Sequence, residues 1–312
     1  MSNLPKVSII TPTLNQIEFI ERTITSVLDQ DYPNLEYLII DGGSTDGTLD
    51  LLKSLSTKVK WITENGLGQT QAINRGLKMC KGEIISWLNS DDVLLDGAIQ
   101  KIVKMFGANP QVDMIYGNCD YIDADNIYIS EYKTQEFSFK DLYLNAVNFI
   151  PQPATFFRRR ILKNTGYLNE RYSLVMDFDF WMRVALTSQI LHIKEKLAAM
   201  RLHKSAKSLK LLGEFPKELI LMYECLDKVP FIHKMDRELK RLAMRNLYYR
   251  AAHIAFWGSQ YQASRVYALK GLKHAPIKPD RIVFFSLFGK LSRTILEKIR
   301  GNPYTFGVLN IE

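Results

Sequence analysis

Short apolar runs alternate with stretches of helical spacing through the first 120 residues. Val7-Ser8-Ile9-Ile10-Thr11 follows Lys6 as a short apolar strand, and Pro12 is expected to end its regularity by removing a backbone donor. Ile17, Ile20, Ile24, Val27 and Leu28 then recur at intervals that predict an amphipathic helix over 17–30. A strand over 35–40 is broken sharply by Asp41-Gly42-Gly43, and a helix over 48–55 and a strand over 59–62 follow. The alternation continues with a helix over 69–79, a strand over 84–88, a helix over 95–107 and a strand over 113–117. Strands separated by helices of about ten residues predict an α/β fold with a central, mostly parallel sheet flanked by helices. In such folds ligands bind beyond the carboxyl ends of the strands. Asp41 and the run Asn89-Ser90-Asp91-Asp92 both fall at those ends.

After Tyr116 the pattern loosens. A hairpin over 121–132 is expected to turn at Asp125-Asn126, and a short helix over 139–149 to lie near the surface. Pro151 and Pro153 bracket a rigid segment ahead of Phe156 and Phe157, which read as core aromatics, and 174–186 reads as a helix. From Phe215 onward helices over 219–226, 235–256 and 260–272 are separated at Pro230 and Gly258-Ser259, with a further break at Pro276. The expected division is an α/β domain over 1–205 and a helical C-terminal region over 206–312.

Composition narrows the class. An apolar fraction of 46% and a charged fraction of 24% are those of an ordinary folded protein. Cys80, Cys119 and Cys225 form no CxxC pair, which argues against a thiolate zinc site or a disulfide scaffold and fits a reducing cytosol. No secretory apolar stretch precedes the first strand and no 18-residue uncharged apolar run occurs, so a cytoplasmic chain without a transmembrane helix is expected. The net charge of +8 favours anionic partners, but no aromatic-basic platform supports nucleic acid. Residues 270–300 combine eight Lys or Arg with two acidic residues, the run Ile282-Val283-Phe284-Phe285 and an amphipathic stretch over 291–299. That suits either an anionic membrane surface, making the protein peripheral on the inner face, or a packed helix with a solvated basic face.

Three segments could carry chemistry. In Asp41-Gly42-Gly43-Ser44-Thr45-Asp46-Gly47-Thr48 the glycines let backbone approach a ligand, and Asp41 can accept from a base or ribose. The plainer role is a turn in which Asp46 caps the next helix; the spacing is neither a P-loop nor a dinucleotide fingerprint. Asp91 and Asp92 present adjacent carboxylates, which about 4 Å apart repel by roughly 4 kcal/mol at an effective dielectric of 20. A divalent cation reverses that repulsion; without one they are two solvated capping acids. Asp177 and Asp179 stand near the start of a helix, where Asp179 can instead pair with Arg183.

Together these segments resemble the family 2 glycosyltransferases, which have the GT-A nucleotide-sugar fold. The resemblance covers roughly residues 6–205 and runs through Ser8-Ile9-Ile10-Thr11-Pro12-Thr13-Leu14-Asn15, the Asp41 motif, Gln71-Ala72-Ile73-Asn74-Arg75-Gly76 and Trp87-Leu88-Asn89-Ser90-Asp91-Asp92. It implies inverting transfer of a sugar from a nucleotide diphosphate sugar, usually a UDP- or GDP-sugar. Thr11, Pro12 and Asn15 would line the nucleotide pocket, Asp41 would hold the base, most often uracil, and Asn74 and Arg75 would lie near ribose or diphosphate. Asp91 and Asp92 would divide ligation of Mn²⁺ or Mg²⁺ and ribose contact between them, with Asn89 at the family's first acidic position. His203 would be a further metal ligand, and Lys204 and Lys207 would meet phosphate; the plainer alternative is a basic surface turn. Asp177 would be the general base, with Met176 where the family has a glutamate, and Asp179 is the second choice. Gln152, Thr155 and Arg158 fall in the acceptor-side segment. The Gln-x-x-Arg-Trp motif of the membrane-bound polymer synthases is absent, which favours single-sugar transfer over chain extension. The acceptor would be a saccharide or, if the basic tail meets a membrane, a polyprenyl-diphosphate-linked saccharide, as in bacterial surface polysaccharide assembly. Two other readings compete. One is a non-catalytic nucleotide-sugar or carbohydrate-binding protein, favoured by Met176 and Asn89. The other is a nucleotidyltransferase, whose early glycine-rich basic loop is lacking here.

Overall fold

A computed structural model describes residues 4–57 and 59–274 of the chain. The apolar and basic tail from residue 275, on which most of the membrane-surface expectation falls, lies outside the described residues. In chain order the elements are β1 Val7–Thr13, α1 Ile20–Leu28, β2 Leu35–Asp41, α2 Thr48–Ser54, β3 Lys60–Thr63, α3 Gln69–Met79, β4 Ile84–Trp87, β5 Val93–Leu94, α4 Ala98–Ala108, β6 Met114–Ile122 and β7 Tyr128–Glu131. Then follow α5 Phe139–Asn145, β8 Thr155–Arg158, α6 Ile161–Thr165, α7 Met176–Ala185 and β9 Ile190–Arg201. Five helices end the described chain: α8 Lys207–Lys210, α9 Phe215–Leu226, α10 Pro230–His233, α11 Arg237–Trp257 and α12 Tyr261–His274.

Two compact units result. One comprises the chain through Phe137 together with Ile150–His203; the other comprises Ser138–Phe149 and the chain from Lys204. The first unit is built on a nine-stranded sheet in the order β3-β2-β1-β4-β8-β6-β9-β5, with β7 paired to β6 beside that path. The β3-β2-β1-β4 stretch is parallel throughout. Beyond it β8 runs antiparallel between β4 and β6, while β9 is parallel to β6 and β5 antiparallel to β9.

Pro12 does not end β1, which runs on to Thr13. Ile10 offers its carbonyl to the Leu88 N–H on the β4 side, and Pro12, two residues on, faces the same way. There β4 has already stopped at Trp87, so the missing proline donor breaks no ladder bond. Trp87 lies stacked on Trp181 of α7, with ring centroids 5.2 Å apart, and meets Phe157 and Phe180 edge-on. Phe156 and Phe157 are fully buried, as their apolar run predicts.

In the second unit α11 packs against α5, α9 and α12. The segment expected at the surface forms the shorter α5, and its Leu142 and Tyr143 are buried instead. Their cover comes from far along the chain, where Tyr223 stacks on Tyr143 and donates its hydroxyl to the Tyr143 carbonyl at 2.6 Å. Among the described residues no helix is long and apolar enough to cross a membrane.

Candidate active site

The parallel part of the sheet brings the ends of β3, β2 and β1 side by side at Thr63, Asp41 and Thr13, which are in register. Asp41 is fully buried and serves its own loop. Its carboxylate accepts the Gly43 and Ser44 N–H groups at 2.8 and 3.0 Å, the Thr63 hydroxyl at 2.6 Å and the Ser44 hydroxyl. Gly43 sits at φ +99°, and a Cβ on Gly42 would meet the Leu67 carbonyl at 2.8 Å, so both positions require glycine. The loop after β1 locks onto this turn. Asn15, at φ +52°, donates its N–H to Ser44 Oγ at 2.8 Å and accepts the Thr45 N–H on its side-chain oxygen at 2.8 Å. Asp46 takes the Ile17 N–H at 2.9 Å as well as capping contacts with Thr48. Thr11 is bonded to the Tyr37 hydroxyl at 3.0 Å, inside the sheet.

A second cluster forms beyond β4. Asn89 accepts from Gln69 Nε2 at 2.8 Å and donates to Asp92 Oδ2 and to Gln152 Oε1 at 3.2 and 3.0 Å. Gln152 in turn donates to the Trp87 carbonyl at 2.6 Å. Asp92 turns inward: its other oxygen takes the Arg201 N–H at 3.0 Å, and burial, then the neighbouring Asp91 charge, push its carboxyl well above the usual range. Asp91 faces the other way, with its side chain 22% exposed and its Oδ2 3.0 Å from His203 Nε2. Phe19 meets both Arg201, the last residue of β9, and His203 two residues on, its ring 4.4 Å from the His203 ring and 5.2 Å from the Arg201 guanidinium.

Asp177 adjoins this cluster through α3. Gln69 holds Asn89, and the next residue, Thr70, donates its hydroxyl to the Tyr172 carbonyl at 2.7 Å and lies 2.8 Å from Met176 Sδ. Met176 precedes Asp177 in the first turn of α7. Trp181 is one helical turn after Asp177 on the same face, and its stack on Trp87 fixes α7 against the strand that leads to Asn89. Asp179 pairs with Arg183 at 2.8 Å, while Asp177 is partly buried and accepts the Phe178 N–H at 2.8 Å.

Other expected site residues have different partners. Asn74 clamps the loop ahead of α7, bonding the Leu168 backbone at both ends of its amide and Glu170 at 3.0 Å. Arg75 pairs with Glu64 at 2.6 Å on an exposed face. Thr155 donates to the Pro151 carbonyl and Arg158 to the carbonyls of Val112 and Phe106, so both brace the fold. Lys204 begins the second unit. The residues that sequence reasoning missed are Arg201, Phe19, Gln69 and Trp181. Arg201 and His203 have the two-residue spacing of one strand face, a signal hidden because β9 itself, with Lys194-Glu195-Lys196 in its middle, was not expected.

Among the described residues no group of three or more His, Cys, Asp or Glu side chains could hold a metal ion. Asp91 and His203 nevertheless supply one oxygen and one nitrogen side by side. Mg²⁺ is commonly bound through one or two carboxylates plus water and substrate phosphates, so this two-donor set fits a cation completed by a diphosphate.

Comparison with known proteins agrees with this geometry. Residues 8–166 match the sequence model of Glycosyl transferase family 2. An uncharacterized glycosyltransferase of Nostoc sp. is 29% identical over 210 residues, covering 64% of this chain and 65% of its own length. The GalNAc(5)-diNAcBac-PP-undecaprenol beta-1,3-glucosyltransferase of Campylobacter jejuni is 28% identical over 180 residues, 54% of this chain and 57% of its own. The chain thus spans less than two thirds of either relative. The mannosyltransferase of Pyrobaculum calidifontis, solved with GDP-Man and Mn²⁺, shares the fold at a TM-score of 0.62 and 17% identity, over 94% of this chain and 84% of that one. The fold is therefore the α/β GT-A type, with a central sheet flanked by helices and a C-terminal helical region. With more than half of its length matched, the chain belongs to glycosyl transferase family 2.

Proposed function

We propose that this chain transfers a single sugar, with inversion, from a nucleotide diphosphate sugar to a hydroxyl of a saccharide or polyprenyl-diphosphate-linked saccharide. The observation that carries the reading is the start of α3, where Gln69 holds the Asn89–Asp92 turn and Thr70 touches the residue before Asp177. A departing diphosphate and a base are thereby set on adjoining elements. Asp177 lies in the first turn of α7. It takes the proton from the acceptor hydroxyl as that oxygen attacks the anomeric carbon. The new carbon–oxygen bond forms while the bond to the diphosphate oxygen breaks on the opposite face. Asp91 and His203 would hold Mn²⁺ or Mg²⁺, which supplies positive charge for the leaving diphosphate. Asp92, bonded inward, keeps the turn in shape, and the Asp41 and Asn15 loops wall the nucleotide end.

UDP-sugars stand first among donors because the Asp41 motif resembles a uracil-binding one, and the Pyrobaculum protein, solved with GDP-Man, makes GDP-sugars the comparison set. The Campylobacter relative is named for a PP-undecaprenol-linked saccharide, which supports a lipid-linked acceptor; such an acceptor would bring the chain to the inner face of the cytoplasmic membrane. A donor panel with and without Mn²⁺, scored by hydrolysis and thermal shift, tests the reading. One donor should both stabilise the protein and be hydrolysed. Asp177→Asn should lower transfer by roughly 100- to 10,000-fold while donor binding survives. Unchanged transfer in that variant, or no hydrolysis of any donor, would refute the proposal.

A further inference from the structure

We propose that Arg201 is the positioning residue of this site, a fixed internal cation that shapes the Asp91–Asp92 turn so that Asp91 meets His203. The inference rests on the sugar-transfer reading above and goes beyond it to a residue outside the expected ligand set. Arg201 is 3% exposed and ends β9 two residues before His203. Its backbone N–H donates to Asp92 Oδ1 at 3.0 Å and its Nε to the Asp91 carbonyl at 2.8 Å, so a single residue grips both members of the acidic pair from behind. Its Nη1 donates to the Asp123 and Ala124 carbonyls at 2.8 and 3.2 Å, tying the same turn to the hairpin between β6 and β7. Arg22 donates to the Ala124 carbonyl from α1 at 2.6 Å, and the Thr23 hydroxyl donates to the Asp92 carbonyl at 2.7 Å.

This arrangement is poorly explained by stability. A buried ion needs all its donors satisfied to break even with apolar packing, and Nη2 of Arg201 is buried without a partner among the described residues. The guanidinium does have what a positioning role requires. Its planar fork fixes two directions at once, and the Phe19 face seats it beside His203. A lysine would keep the charge and lose the fork.

The test follows Mn²⁺ uptake by the full chain, read as loss of the free-ion paramagnetic resonance signal, with UDP and in parallel with GDP. Nucleotide binding in EDTA, the melting temperature, and kcat and KM for donor hydrolysis are measured alongside in wild type, Arg201→Lys and Phe19→Leu. Arg201→Lys should weaken Mn²⁺ uptake by about 10- to 100-fold, as loss of groups that orient metal ligands does. Its nucleotide binding in EDTA should stay within about twofold, and its loss of hydrolysis should be regained in part at high Mn²⁺. Phe19→Leu should weaken uptake by a smaller factor, about threefold on the same scale. Mn²⁺ uptake equal to wild type in Arg201→Lys overturns the assignment, as does an equal fall with and without metal, or a wild type that takes up no Mn²⁺. If Arg201→Lys does not fold, Phe19→Leu decides alone, and unchanged uptake there rejects the proposal. A wild type that takes up Mn²⁺ with nucleotide but hydrolyses no donor removes the sugar-transfer reading and leaves Arg201 to be judged on uptake.

Discussion

Asp41 is held by Gly43, Ser44 and Thr63, none more than 22 residues away, whereas Asp91 and Asp92 meet Arg201 and His203 across 109 to 112 residues. Both acidic positions lie beyond the carboxyl ends of strands in the parallel part of one sheet: Asp41 ends β2, and Asp91 comes four residues after β4 stops at Trp87. The Asp41 side is a turn that satisfies itself, with backbone N–H groups and short side chains filling the carboxylate. The Asp91 side exists only once β9 has come alongside β6 and α7 has docked on Trp87. One side of the mouth is thus encoded locally and the other assembled by the tertiary fold. A substitution in the assembled side should therefore disturb metal uptake and catalysis while the nucleotide side keeps its form.

Trp181→Ala breaks the comparison most severely. Trp181 is fully buried, and removing an aromatic of that size from a core costs about 3–5 kcal/mol. Urea unfolding should show that loss. At denaturant concentrations where the variant stays folded, nucleotide binding in EDTA should persist while donor hydrolysis falls, because α7 and Asp177 are no longer set against β4. Loss of both functions in parallel would mean the two sides are one cooperative structure.

The same contrast explains what could be read from the sequence. The helix over 69–79 is found with those bounds, because its spacing is local and Gly68 and Gln71 close its first turn. The Asp41 turn was legible for the same reason, as glycines and short polar residues report directly on backbone shape. The antiparallel β8 between β4 and β6 was not legible, since register between strands some 70 residues apart leaves no periodic trace. The strand β9 was hidden by its charged middle, and with it the role of Arg201. Pro12 misled by its type alone, because the absence of a donor matters only where a neighbouring strand is present to accept from it. Asn74 and Arg75 lie on a correctly placed helix, but their partners, the Leu168–Glu170 loop and Glu64, were set by packing.

The helical unit supplies a control whose stability depends on pH rather than on either side of the mouth. On α11, Nε2 of His253 has no hydrogen-bond partner among the described residues, and burial, then the Arg250 charge, push its pKa down to about 3 from an ordinary 6.5. Well above pH 6.5 neither the folded nor the unfolded chain is protonated there, so nothing is lost. Between pH 6.5 and 3 the unfolded chain binds a proton that the folded one refuses, and stability falls as pH falls. From pH 7 to pH 5 the cost reaches about 2 kcal/mol. The stability difference between wild type and His253→Phe should shift by that amount over this range in paired urea titrations. A constant difference would show that His253 takes up its proton in the folded state.

The finest discrimination comes from Thr63→Val, which deletes one hydroxyl from the self-contained side at nearly constant volume. The Thr63 hydroxyl donates to Asp41 Oδ2 at 2.6 Å, and a hydrogen bond of this kind contributes about 1 kcal/mol. Asp41 keeps its bonds from Gly43 and Ser44, so the turn should loosen rather than collapse. Nucleotide affinity in EDTA should fall by about fivefold, the binding equivalent of that energy. Mn²⁺ uptake at saturating nucleotide should match wild type, because the Asp91–Asp92 turn is held by Thr23, Asn89, Arg201 and His203 rather than through Asp41. A fall in uptake comparable to that expected for Arg201→Lys would show that the β2 end and the β4 end respond as one element, and the division into a local and an assembled side would have to be given up.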